Sequence, residues 1–210
     1  MLATAGAIAL AAASTVAFAP PARAEHITPP AVPANLQVKE GNKPFLEGHG
    51  VGTQNYVCLP SGTGVAFVLF TPEATLFKDN DKQLITHFFS PNPFEPNTNP
   101  AVVTPETIRA TWQHSRDSST VWAKVDQPST DPAFVAPGAV AWLLLSRAGA
   151  QDGPTGGDIL SATTFIQRVN TSGGLAPSTG CTSPADIGRE AFVPYTADYI
   201  FYKAADGDDD

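Results

Sequence analysis

The stretch Thr163-Thr164-Phe165-Ile166-Gln167-Arg168-Val169-Asn170-Thr171-Ser172-Gly173-Gly174-Leu175-Ala176-Pro177-Ser178-Thr179-Gly180-Cys181 decides how the chain is read. β-branched and aromatic residues fill its first part, which is the composition of a strand. At the two-residue period of a strand, Phe165, Gln167 and Val169 share one face while Ile166 and Arg168 share the other. An arginine so placed pairs with a carboxylate or extends its head to water. Gly173-Gly174 marks a turn, and the stretch ends on Cys181, one of two cysteines in the chain. Asn170-Thr171-Ser172 is also an N-glycosylation sequon, which matters only in a eukaryotic secretory pathway.

Similar segments lie on both sides. Ala139–Leu145 is apolar throughout and reads as a strand covered on both faces, kept short by Pro137-Gly138 and Gly149. In Thr120–Val125, Val121, Ala123 and Val125 fall on one face and Trp122 and Lys124 on the other. With Ala110–His114 and the polar turn Ser115–Ser119, that segment reads as a hairpin. Gln54–Cys58, Val65–Phe70, Glu73–Phe77 and Gln83–Phe89 are also strand-length, and Asp198–Lys203 is the last strand. Between them, Ser90–Pro105 and Asp126–Gly138 are proline-rich loops, and Thr104-Pro105-Glu106 is suited to start a helical turn reaching Arg109. Another helical turn fits within Pro184–Ala191. No convincing amphipathic helix and no propeller-like repeat is present. The expected fold is therefore all-β, an antiparallel sandwich or barrel with long Pro/Gly-rich loops, with neither alternative favoured.

The chain starts with Leu2–Ala19, apolar and uncharged, followed by Pro20-Pro21 and the small-x-small triplet Ala22-Arg23-Ala24. Residues 1–24 read as a secretory signal peptide, although no basic residue precedes the apolar run. The run is short for a bilayer span of about 20 residues, and the prolines break it. A Pro-rich lead-in over 25–35 would then act as a tether to a single β-rich domain over 36–204, with an acidic tail over 205–210. Losing Arg23 takes the net charge from −8 to −9, which argues against nucleic acid and anionic membrane surfaces. The address implied is secreted or periplasmic, with no transmembrane segment in the mature chain. In such a compartment Cys58 and Cys181, an even count outside any C-x-x-C, default to one disulfide.

Three constellations could carry chemistry. His49, His87 and His114, with Asp79 or Asp117, supply enough ligands for zinc or copper if the rings converge, but their spacing matches no local metal motif. Trp112, His114, Asp117 and Trp122 gather around one polar turn, where exposed rings can stack on sugar faces; packing in the core is the competing role. Glu73 and Asp117 would serve a glycosidase only at a fixed separation. No G-x-S-x-G is present, Gly153–Gly157 lacks the Lys-Ser/Thr of a phosphate loop, and the tail Asp206–Asp210 lacks the ligand spacing of an EF-hand. Which cofactor, if any, is used stays open at this stage.

Taken together, Gly52–Cys58, Pro72–Phe77, His87, Thr111-Trp112 with Asp117-Ser118, Ala141–Leu145, Phe165–Cys181 and Val193–Tyr199 resemble a family of secreted bacterial and fungal proteins catalogued as domain of unknown function 3455. The resemblance implies export and a two-cysteine β domain, and it implies no established activity. Some fungal relatives are labelled malate dehydrogenase or appressorium-specific protein, but no G-x-G-x-x-G follows a strand here. Asp117-Ser118-Ser119 stands where bacterial members more often read Asp-Gly-Ser. The expected function is an extracytoplasmic binding domain for a glycan or cell-wall ligand around Trp112–Asp117. The rivals are a metal-dependent enzyme or metal-binding protein using His87 and His114, and a structural envelope protein. Whether a reaction is catalysed stays open at this stage.

Overall fold

The structure is a computed structural model, described over residues 27–99 and 104–205. The signal peptide over 1–24, His26, the loop centre at 100–103 and the acidic residues 206–210 lie outside the described residues. Eight strands follow in order: β1 (Asn42–Ser61), β2 (Gly64–Phe77), β3 (Gln83–Pro96), β4 (Glu106–His114), β5 (Thr120–Ser129), β6 (Trp142–Gln151), β7 (Thr163–Gly173) and β8 (Glu190–Ala204). Each pairs antiparallel with the next, and β1 pairs with β8, so the sheet closes into a barrel. The all-β expectation holds, and the choice between sandwich and barrel falls to the barrel.

Closure rests on β1. It pairs with β2 over His49–Ser61 and with β8 over Asn42–Val57, so its middle, His49–Val57, is paired on both sides. Gly48, Gly50 and Gly52 alternate along it and turn their bare faces to the packed interior. A Cβ on Gly50 would lie 2.9 Å from the Tyr199 ring, and one on Gly52 would lie 2.0 Å from the Glu73 carbonyl oxygen. Only glycine lets the opposite side chains approach the strand this closely.

The faces of β7 are as its sequence reads. Ile166 joins the interior cluster with Leu76, Ile85, Trp112, Val121, Leu145, Tyr199 and Phe201. Val169 and Phe165 join an outer cluster with Trp142, Leu144, Ile200 and Tyr202. β6 is thus covered on both faces, as its apolar run requires. The cover on its outer side is the lead-in, which is not a loose tether: Leu36 is fully buried, and Ile27, Val32 and Val38 pack beside it. The Leu36 carbonyl accepts from Gln167 Nε2 at 2.7 Å, which ties the segment to β7.

The proline-rich stretch after Ser90 differs from expectation. Instead of looping, β3 runs on to Pro96 and pairs Pro91 with Ile108, and Glu106–Arg109 is strand rather than a helical turn. β2 pairs with β3 only as far as His87, so from Phe88 onward β3 has a ladder partner on one side only. Phe89 sends its N–H away from β4, to Thr71 Oγ1. Pro91 shares its parity, so the donor it lacks would have pointed into the unpaired side, and Pro93 lies where the register with β4 breaks.

At the other end of the sequence, Gly173 and Gly174 have φ of 67° and 86° and turn the chain towards Cys181. Cys181 is bonded to Cys58, across a sequence separation of 123. The helical turn anticipated within Pro184–Ala191 is a short 3-10 turn, Pro184–Asp186, closed by a capping box with Ser183. A Cys58→Ser/Cys181→Ser double variant is expected to lose about 4–5 kcal/mol of stability, the loop-entropy value for a ring near this length. Urea unfolding of oxidised wild type beside the variant measures it, and a loss below about 1 kcal/mol would refute the estimate.

Candidate functional site

One half of the barrel interior is packed solid. Leu76, Leu84, Ile85, Val121, Leu160 and Phe201 fill it, with Leu160 supplied by the β6–β7 connection. A layer of rings bounds this half. His87 from β3 stacks on Trp112 from β4, with centroids 4.2 Å apart and planes 9° from parallel. Tyr199 from β8 leans on both, at 5.3 Å from His87 and 5.9 Å from Trp112. Next to this layer the interior is hollow, a cavity of about 680 Å³. An eight-stranded barrel is just wide enough for its own side chains or for one small ligand, and this one divides its length between the two.

The cavity wall is mostly apolar. Leu143 and Leu145 of β6, Ala110 of β4 and Phe89 of β3 line it, together with Val135, Ala139 and Val140 of the β5–β6 connection. Leu69, Val125 and Leu175 also line it and are exposed, so they form its rim. The connection is held as a wall by β7 and the turn after it. Val140 N–H donates to the Gly173 carbonyl at 2.9 Å, Thr171 Oγ1 donates to the Val140 carbonyl at 2.6 Å, and Ala139 bridges to Gly174.

The polar members of the wall are few: Gln54, Tyr56, His87, Thr130, Arg168 and Tyr199. Arg168, on the inner face of β7, donates through Nη2 to the Ala141 carbonyl at 2.8 Å and through Nε at 3.3 Å. It meets a backbone carbonyl where the sequence suggests a carboxylate or water. Among the described residues it has no ion-pair partner, and no Asp or Glu lines the cavity. His87 is neutral. Burial pushes its pKa down to about 3, against the opposing pull of the Thr111 carbonyl, and the Arg168 charge pushes the same way as burial. Its Nδ1 donates to that carbonyl at 2.8 Å, which leaves Nε2 as an acceptor. Burial likewise raises the pKa of the Tyr199 hydroxyl, which shares a 3.0 Å hydrogen bond with Tyr195.

The residues singled out from sequence are distributed over several places. Trp112 lines the cavity and is 1 % exposed, while Trp122 lies outside the barrel, 7 % exposed, with Nε1 donating to Ser90 Oγ at 2.8 Å. The two rings do not form a common exposed face. His114 and Asp117 lie together near the β4–β5 turn. Asp117 Oδ1 accepts from His114 Nδ1 at 2.9 Å, from Ser119 Oγ at 2.8 Å and from Ser119 N–H at 3.0 Å. Its Oδ2 accepts from Ile159 N–H at 3.0 Å. Burial would push that carboxyl up, but these donors and His114 outweigh it and hold it at about 2. Ser118 has φ of 60°, a left-handed conformation that glycine adopts most readily.

The three histidines do not converge. His87 is in the ring layer and His114 is bound to Asp117, while His49 is on β1 between two carboxylates. Its Nδ1 faces Asp198 Oδ1 at 2.7 Å and its Nε2 faces Asp79 Oδ1 at 2.8 Å, and the Asp198 bond leads in raising its pKa. Among the described residues, the one grouping of metal-type ligand atoms within 4.8 Å is Glu47, His49 and Asp198, which excludes His87 and His114. Sequence reasoning missed the cavity itself. Its one available signal was Arg168 on the same face as Ile166, a cation among inward-facing apolar side chains.

A family model described as Protein of unknown function (DUF3455) matches residues 39–203. No curated protein and no solved structure matches the chain.

The buried neutral His87 sets a pH dependence. The folded pKa is depressed to about 3 from the usual 6.5, so below pH 6.5 the unfolded chain takes up a proton that the folded one refuses. Stability is therefore lost as pH falls through that window, by up to about 1.4 kcal/mol per pH unit from this group. In a His87→Asn variant the slope of unfolding free energy against pH between 6 and 4 should drop by about one proton. An unchanged slope, or an imidazole NMR titration of His87 near 6.5, would contradict the neutral assignment.

Proposed function

The chain belongs to the DUF3455 family, to which no activity is attached, and we propose that it is an extracytoplasmic binding protein holding a small apolar molecule inside the barrel. One observation carries this reading: the roughly 680 Å³ cavity, walled by aliphatic side chains and rimmed by exposed Leu69, Val125 and Leu175. Ligand sites for small organic molecules are concave, mainly apolar, and carry a few polar groups for orientation. A void of this size left only to water loses the dispersion contacts that fill the other half of the barrel.

The extracytoplasmic address is supported by the Cys58–Cys181 disulfide, which persists in oxidising compartments, and by the apolar leading stretch of the sequence. Among the described residues no helix is long and apolar enough to cross a membrane. A glycan bound on exposed rings is the weaker reading, because Trp112 and Trp122 are both buried. Nucleophilic chemistry also finds little support, since the one histidine on the cavity wall is a neutral, weakly basic group stacked on a tryptophan.

A neutral fluorescent probe, N-phenyl-1-naphthylamine, is expected to bind the purified protein at one site with a blue-shifted, enhanced emission. Ala110 lines the cavity from β4, and Ala110→Trp would fill part of it. Probe affinity should fall at least tenfold in that variant while its circular dichroism matches wild type. Probe binding that ignores the substitution would move the site out of the barrel.

A further inference from the structure

The polar atoms left over in the cavity wall are mostly hydrogen-bond donors, the neutral His87 Nε2 being an acceptor among them. Arg168 brings a guanidinium with five N–H groups, and the Ala141 carbonyl accepts from only two of its nitrogens. Gln54 and Trp112 both line the cavity and are buried, and their side-chain donors, Nε2 and Nε1, have no protein partner. Polar atoms shut away from bulk water without partners are costly, and a cation in an apolar wall without a counter-ion more so. The neighbouring hydroxyls bring no negative charge to the guanidinium: Tyr56 donates to the Gly174 carbonyl at 2.6 Å, Tyr195 and Tyr199 share one hydrogen bond, and the Tyr199 oxygen that also meets Arg168 is a neutral acceptor.

We propose that the ligand of the cavity is an apolar monocarboxylic acid, its carboxylate received by Arg168 and its hydrocarbon body lying against Leu143, Leu145 and Val135. This deepens the binding reading above and rests on it. A carboxylate supplies acceptors only, matching a wall with spare donors, and its two oxygens fit the planar fork of a guanidinium. The charge balance also fits, because His87 is neutral and Arg168 is the single charged side chain on the wall. A polyanion would leave negative charge unmatched, and a sugar would set many hydroxyls against aliphatic carbons. The volume suits a fatty acid or an aromatic acid of ordinary size.

The test compares dodecanoic acid with dodecanol, two probes that share a tail and differ in the head, by displacement of N-phenyl-1-naphthylamine from delipidated protein at pH 7.5. Wild type is expected to bind the acid at least tenfold more tightly than the alcohol. Arg168→Gln should bring the two affinities within about twofold of one another. Arg168→Lys, which keeps the charge and loses the fork, should give an intermediate preference; it also serves if the glutamine variant fails to fold. Equal affinities in wild type, or a full acid preference in folded Arg168→Gln, would overturn the proposal while leaving neutral-probe binding intact. Failure of the wild type to take up the naphthylamine at all would remove the cavity reading itself.

Discussion

The pairing of β1 with β8 is the constraint on which the rest of this structure depends. It converts an open eight-stranded sheet into a barrel, and along β1 the bare face of Gly50 makes room for Tyr199 of β8 while Gly48 and Gly52 make room for residues of β2 and β3. Tyr199 on β8 packs against the bare face of Gly50 and from there reaches His87 and Trp112. Those three rings bound the cavity. Further along β1 the glycines stop, and Gln54 and Tyr56 take their place on the inner wall. A strand whose inner face changes from no side chain to long polar ones thus sets both where the interior is dense and where it is hollow.

Much of the fold was legible from residue order. The two faces of β7, the double cover of β6 and the bond between Cys58 and Cys181 follow from strand periodicity and from two cysteines in a chain with an export-like start. What was not legible depends on partners distant in sequence. Pro91, Pro93 and Pro96 read as a loop because the sequence does not reveal that β2 leaves β3 after His87, which frees one side of the strand. The lead-in looked like a tether because its apolar residues are isolated among prolines; their common target, the outer face of β6 to β8, exists only after closure.

The candidate site shows the same division. Histidines attract attention in a sequence because their chemistry is versatile, yet here each has its own local duty: a stacked ring, a turn, and a bridge between Asp198 and Asp79. Arg168 was visible as an odd residue on an inward face, but nothing local indicates that no carboxylate would meet it. That fact comes from the neighbouring wall, which β5, β6 and their connection build largely from alanine, valine, leucine and proline. Arg168 also does two jobs there. It pins Ala141 at the base of the connection and places its charge beside the hollow.

The prolines of β3 have one more consequence. A barrel normally has no sheet edge, but this one is left with a short exposed margin where β3 runs beyond β2. Such margins recruit strands from neighbouring molecules and begin aggregates, because their free N–H groups form a template. With Pro91 at a position of the outward parity and Pro93 following it, that template is short of the donors it would need. The seam can therefore stay unzipped along the mouth of the cavity, near Leu69 and Phe89, without making the molecule self-adhesive. An opening in the wall is thus kept without an adhesive strand edge beside it.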